Sequence, residues 1–567
     1  MAPNISYFNN CESQPLCEKI KITFPKRLEK NIIIIYYNKA GGGDLKGNFI
    51  KYIFIIFVIS IIIAVIYKTH KSNDSQQIEE QQPTSSNEEE VIKEISLGIA
   101  SFDTINPILS QNKQVQEISR IIYEPLFELD SEYKLQKCLA KDWAKTSATT
   151  YLIKIRNDIK WSDGTSFTVD DVLFTIDVLK QIPSIYGNNV QYIVGVSKVD
   201  EDTLQITIDH EIAFFEYNLI FPIMSKVYFE GQDFSTTEKN NAPMGTGKYK
   251  IVKNDEKIVL NKNENYSRDE LTLETITIEK YESLGELYNA FKLGKVDVIT
   301  TTNTEIENYI GTIGYNKQEV DGREFDYLAL NTQSSILSNQ EVRDALSHAI
   351  NRENIVASIY NNKYKVTDYS LDYGSWLSGK NGDYSYNPEL SEQILEQNGW
   401  VYKYNRWQKT ENYYTKTLSF KIVVQASNQS RVTVAEMIKA DLANIGISAT
   451  IIKASDTQYQ YYLQNKNYDA IITGTTVSAN PSIETYMNLC NFNNEELNNL
   501  MAEVKNITKE DLLKEKYNRI REIFNEQKPY IGLYSSYYAV SSNWSLKGNV
   551  TANWYNIFID IDNWYKN

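Results

Sequence analysis

Two separated stretches of this 567-residue chain alternate β-branched apolar runs with runs of helical period, which restricts the fold more than any other feature. In the first, Glu274 to Tyr281 (ETITIEKY) predicts a strand, Leu284 to Leu293 a helix, and Val296 to Thr300 the next strand. In the second, Leu418 to Val424 predicts a strand and Val432 to Asn444 a helix closed by Gly446 in a left-handed cap. Ile447 to Lys453 is then a strand, a second helix lies near Gln458 to Gln464, and Tyr468 to Thr473 is the last strand. Such β-α-β-α-β order requires parallel pairing with right-handed crossovers. Its recurrence predicts two α/β lobes, and a chain of this length exceeds one ordinary core.

Helix starts are well marked. Ser162-Asp163-Gly164-Thr165 carries turn chemistry, and Thr168 with Asp171 forms a short-armed capping box ahead of Val172, Leu173, Ile176 and Leu179. Asn387-Pro388 caps another helix that Gly399 ends, and Ser338 with Glu341 predicts a capping box before Val342, Leu346 and Ile350.

Composition narrows the function. Charged residues at 23 % and hydrophobic residues at 42 % are globular values, and a formal net charge of -15 argues against nucleic-acid binding. Four cysteines make no disulfide framework; Cys138 and Cys490 read as inert thiols. The three histidines, His70, His210 and His348, form no ligand cluster, so no metal site and no cofactor is expected. No G-x-S-x-G elbow, H-E-x-x-H pair or GxxxxGK[ST] loop occurs, so the chain is not expected to be an enzyme.

The N-terminal region has its own logic. Residues 49–67 are 19 residues of mostly apolar character, without charge from Tyr52 to Tyr67, and would make a helix of roughly 28 Å at about 1.5 Å per residue. No small-x-small cleavage site or lipid-accepting cysteine follows, so an uncleaved transmembrane anchor is expected. Lys30, Lys39, Lys46 and Lys51 before it, against Lys68 and Lys71 after it, place the N-terminus inside and the large C-terminal part outside. Residues 68–92 read as a flexible acidic tether. Residues 1–48 show no pattern that would bury a core and are expected to be disordered or a mis-called start. Gly41-Gly42-Gly43-Asp44 and Leu45 fit a ribosome-binding site and a UUG start codon.

Six segments taken in order resemble the extracellular solute-binding proteins of oligopeptide and dipeptide ABC importers, family 5. They are Leu139-Ala140-Lys141-Asp142-Trp143, Ile159 to Leu179, Pro243 to Tyr249 with its glycine-threonine-glycine turn, Glu341 to Arg352, Tyr386 to Glu389, and Ile438 to Ile447. The resemblance covers residues 93–567 and implies an α/β, two-lobed periplasmic-binding-protein-like fold of class II, preceded by the one transmembrane helix. Lobe I would span 93–335 with an inserted subdomain at about 131–240, lobe II 336–529, and 530–567 would return to lobe I. Arg343 and Arg352 are read as structural, and Gly245 and Gly247 as serving backbone geometry.

The resemblance also implies capture of a small peptide or other solute between the lobes by hinge closure, with ABC permease and ATPase subunits as partners. A monomer is expected, single-pass in the cell membrane, with no nucleic-acid partner. Asp103, Asn106, Tyr123, Glu124 and Trp376 stand in the family's cleft-facing stretches. The family's amino-anchoring Asp is missing from Thr473 to Pro481, which leaves Thr475, Thr476 and Val477; either Glu484 or another carboxylate substitutes, or the ligand lacks a free amino terminus. The alternative is a ligand-sensing receptor component without import; nickel-complex or haem binding is the less favoured reading.

Overall fold

The computed structural model describes residues 92–371, 374–379 and 382–567, together with three N-terminal strands, Asn4–Phe8, Cys17–Thr23 and Ile33–Asn38. Those three strands form an antiparallel sheet of their own, with Asn4 opposite Thr23 and Cys17 opposite Asn38. Residues 1–48 were read as carrying no pattern that would bury a core, and apart from these three strands they lie outside the described residues. The anchor expected at 49–67 and all of the tether except Ile92 lie outside the described residues. Among the described residues no helix is long and apolar enough to cross a membrane.

The rest of the chain is built on one ten-stranded sheet. Its strands are β1 (Glu94–Ala100), β2 (Tyr249–Asn254), β3 (Lys257–Lys262), β4 (Thr275–Tyr281), β5 (Val298–Thr301), β6 (Tyr315–Leu330), β7 (Ser419–Gln425), β8 (Ser448–Ala454), β9 (Ala470–Thr476) and β10 (Tyr530–Asn543). In space they run β2-β3-β4-β1-β5-β10-β6-β9-β7-β8. Both regions of strand–helix alternation pair in parallel, β4 and β5 on either side of β1, and β8 and β9 on either side of β7. The antiparallel pair β6 and β10 joins the two halves. The boundaries drawn at 335/336 and 529/530 lie near the ends of these two strands.

Apolar residues cover both faces. Leu328, Leu346, Ile422, Val424, Ile438, Ile472 and Ile531 share one core in the second half. Ile95, Leu97 and Ile99 pack with Val115, Ile118 and Ile122 in the first. A separate antiparallel sheet of Ala140–Ser147, Thr150–Ile155, Thr203–Ile208 and Ile193–Lys198 lies in the region expected to be an inserted subdomain. Just before β1, Ile92 and Lys566 exchange backbone hydrogen bonds of 2.8 and 3.1 Å, and the Lys566 ammonium lies 2.7 Å from buried Asp297.

Most helix signals hold. Asp171 accepts from the Thr168 backbone at 2.8 Å, and Asn387 caps Leu390 at 3.0 Å ahead of Pro388. Gly399 and Gly446 take φ of 81° and 77°. A Cβ on Gly245 would lie 1.9 Å from the Ile122 carbonyl oxygen, so the glycine-threonine-glycine turn serves close backbone approach. The capping box expected at Ser338 and Glu341 does not form. The helix is Gln340–Ala349 with Asn339 at its cap, because the buried Arg343 guanidinium turns back onto the Leu337 and Ser338 carbonyls at 2.8 and 3.1 Å.

An ion cluster joins the flanks of β6. Glu307 accepts from Lys317 at 2.6 Å and Lys363 at 2.9 Å, and both lysines also reach Glu319. Partial burial opposes the Glu307 charge, yet the two lysines win and hold its carboxyl down at about 2, against an ordinary 4.5. A depressed carboxyl stabilises the fold above its unfolded value and loses that contribution as pH falls from 4.5 to about 2. Glu307→Gln should therefore flatten the acid limb of a denaturation series over that window; an equally steep limb in the variant would refute the assignment.

Candidate functional site

Where β6 and β10 run side by side at the centre of the sheet, their register breaks. Asp321 faces Tyr537 and Phe325 faces Ser535, so Gly322, Arg323 and Glu324 stand opposite Ser536 alone, as a bulge. Gly322 is required there, since a Cβ would lie 2.2 Å from the Ser536 hydroxyl and 2.7 Å from its carbonyl oxygen. A cavity of 670 Å³ opens over this break, with Gly322 to Glu324 and Ser536 to Tyr538 as its floor. Thr476, Ser478 and Ala479, at and just past the end of β9, line the second-half side.

The first-half wall comes from the helix Lys113–Ile122, which Asn112 caps by accepting from Gln114 at 2.9 Å. Val115, Ile118, Ile121 and Ile122 bury one face in the core. Lys113, Gln116, Glu117 and Arg120, at i, i+3, i+4 and i+7, form the opposite stripe and face the cavity.

The charges on this stripe are held firmly. Glu117 is buried, accepts from Thr300 at 2.9 Å and from the Tyr538 hydroxyl, and is ion-paired with Lys113, whose ammonium is 3.8 Å away. Burial pushes the Glu117 carboxyl up while those three partners pull against it. Lys113 leaves its stem half exposed but sets its ammonium 3.3 Å from the Tyr538 ring centroid, and desolvation there lowers its pKa. Arg120 lies 3.8 Å over Tyr555 and donates to the Ile220 carbonyl at 3.4 Å. Arg323 lies 4.3 Å over Trp554 and donates to the Val477 carbonyl at 3.2 Å. Glu324 accepts from the Thr476 hydroxyl at 2.8 Å. The result is a mixed-charge cleft with two guanidinium planes laid on aromatic faces, suited to holding a polar solute. Among the described residues no group of His, Cys, Asp or Glu is arranged to hold a metal ion.

The nine residues singled out from the sequence do not converge. Thr476 lines this cavity, and Val477 is tied to its wall through Arg323. Thr475 sits in β9 opposite Phe325, just short of it. Asp103 staples its own loop, accepting from Ser110 and Gln111 at 2.7 Å each. Asn106 is wholly buried against Asn240, and Tyr123 donates to the Pro243 carbonyl at 3.2 Å. Trp376 packs near Lys134 and Lys514, and Glu484 pairs with Lys505 at 3.3 Å beside a different hollow. Glu124 and Tyr123 line a separate chamber of 350 Å³. The stripe Lys113, Gln116, Glu117 and Arg120 was missed, although its helical spacing is written in the sequence.

The family model for bacterial extracellular solute-binding proteins, family 5, middle portion, matches residues 134–497. The chain belongs to this family. The oligopeptide-binding protein AppA of Bacillus subtilis is 23 % identical over 457 residues, 76 % of this chain and 83 % of the relative. Heme-binding protein A of Haemophilus influenzae is also 23 % identical over 457 residues, 73 % of this chain and 81 % of the relative. Among solved structures, the periplasmic murein tripeptide-binding protein MppA, in its unliganded open form, superposes with a TM-score of 0.72 at 17 % identity, covering 84 % of this chain and 98 % of that one. That likeness establishes the α/β, two-lobed periplasmic-binding-protein-like fold, in a family of binding proteins rather than enzymes.

Removing the Glu117 charge should tell on its neighbour. In Glu117→Gln the Lys113 pKa should fall further, because burial would act without the opposing carboxylate. An NMR titration of the lysine side chain checks this, and an unchanged Lys113 would show that the pair is not coupled.

Proposed function

We propose that this solute-binding protein captures oligopeptides in the cavity over the β6–β10 break and passes them to the permease and ATPase subunits of an ABC importer. The lobes would close on the cargo about β6 and β10, and residues 49–67 would tether the binding part outside the cell membrane. The observation that carries this reading is the position of the cavity, astride the two strands that join the halves, where a bulge sets main-chain and polar groups at its floor. A peptide can add to such a floor by strand-like hydrogen bonds, while its side chains occupy wet space.

Glu324 supplies what the segment Thr473 to Pro481 lacks. It stands directly across the ladder from Thr476 and shares a hydrogen bond with it, so its carboxylate is offered to a peptide's α-amino group. Arg120 and Arg323, braced on Tyr555 and Trp554, are the cations offered to the far carboxylate.

A charge-assisted hydrogen bond of about 1.5–3 kcal/mol means that Glu324→Gln should weaken binding of trialanine by roughly 10- to 100-fold in calorimetry. N-acetyl-trialanine, which has no ammonium, should bind both proteins alike. An equal loss for the two peptides would remove Glu324 from this role, and X-ray scattering without compaction at saturating peptide would refute closure.

A further inference from the structure

The chain that leaves β9 runs along the cavity wall as a strap, and its far end grips the first half. At its start the Val477 amide donates to the Arg323 carbonyl at 2.7 Å and Arg323 Nε donates to the Val477 carbonyl at 3.2 Å, which fixes the strap to the bulge in the seam. Ser478 and Ala479 then line the cavity. Two side-chain turns set the course beyond them. The Ser478 hydroxyl accepts from the Asn480 amide at 3.1 Å, and Asn480 Oδ1 accepts from the Ser482 amide at 3.0 Å.

The grip belongs to Asn480. Its Nδ2 donates to the Ala213 carbonyl at 2.9 Å and to the Phe214 carbonyl at 3.1 Å, across 267 and 266 residues of sequence. Both carbonyls lie in the loop that follows the strand Thr203–Ile208 of the separate antiparallel sheet. With Oδ1 on the Ser482 amide, both polar atoms of the side chain are engaged and its orientation is settled. Phe214 takes φ of 55°, in the left-handed region that a bulky residue enters only at a cost. Its ring centroid lies 6.1 Å from that of Tyr517, whose hydroxyl donates to the Pro481 carbonyl at 3.2 Å. A second clasp sits on the same loop, where Lys145 pairs with Glu211 at 2.7 Å and donates to the Lys505 carbonyl at 3.3 Å. Neither Asn480 nor these partners line the cavity.

We propose that Asn480 is a positioning residue that latches the two halves together: it touches no cargo and acts by holding the strap, with Ser478 and Ala479, against the cavity. Parting the halves about β6 and β10 would break both Asn480 bonds and leave the Val477–Arg323 pair intact, because the strap moves with β9 and the loop with the small sheet. Cavity wall and latch lie one or two residues apart on one turn-fixed segment. Cargo that seats against Ser478 and Ala479 therefore favours the latched form, and cargo that displaces them withdraws Asn480 from its carbonyls. The coupling to cargo rests on the closure reading above; the latch itself does not.

Asn480→Asp isolates the latch, because a carboxylate still accepts from Ser482 but sets oxygen against the Ala213 and Phe214 carbonyls. Asn480→Ser, which keeps an oxygen for Ser482 and adds no charge, is the second variant and should shift each readout the same way. In the full-length protein trialanine should leave Asn480→Asp about tenfold faster than wild type, with the association rate and the melting temperature nearly unchanged. Small-angle scattering from wild type and variants, free and with saturating trialanine, gives the second readout. The variants should show a larger radius of gyration than wild type in at least one of the two states. Equal radii in both states overturn the latch, and a lower melting temperature beside equal radii marks Asn480 as structural only. If trialanine neither binds nor compacts the wild type, the peptide reading fails, and the radii of the free proteins decide the latch alone: larger in the variants upholds it, equal overturns it.

Discussion

The antiparallel pairing of β6 with β10 is the contact on which the rest of the architecture hangs. It is the seam in the sheet between the parallel units β4-β1-β5 and β9-β7-β8, while one large core runs past it from Ile95 and Leu97 to Val423 and Ile471. A continuous ladder there would make one stiff ten-stranded sheet. The three-against-one bulge at Gly322 to Glu324 interrupts the seam at its middle, where the helix Lys113–Ile122 and the end of β9 both look onto it. The same irregularity therefore loosens the seam and opens the space beside it, and a glycine facing Ser536 is what permits it.

The walls of that space show how a polar site can be kept rigid. Lys113 and Tyr538 face each other across the stripe and the seam, and Glu117 ties both down from beneath. Arg120 and Arg323 lie on Tyr555 and Trp554, residues of the returning C-terminal segment. Aromatic faces hold the guanidiniums in place by cation–π attraction, which fixes where their charge meets whatever enters.

Much of the scaffold was legible because its causes are local. The strand read at Glu274 to Tyr281 is Thr275–Tyr281, and the helix read at Val432 to Asn444 is Gln429–Asn444, longer only at its start. Parallel pairing followed from the alternation itself. The capping box at Ser338 failed for a tertiary reason, since the Arg343 guanidinium also holds the distant Gln527 carbonyl at 2.7 Å. The site was far less legible. Arg323 meets Trp554, and Glu124 meets Arg268, only after the chain has folded over long separations. The stripe from Lys113 to Arg120 was overlooked because a charged helix face has the same periodicity whether it meets water or a ligand.

Ile92 and Lys566 bind one another just before β1, inside the first half-sheet, with Asp297 as a further clamp. These two segments therefore cannot part without breaking both backbone hydrogen bonds and the Lys566–Asp297 ion pair, so the lead into β1 and the run that follows β10 answer to one another although more than 400 residues separate them.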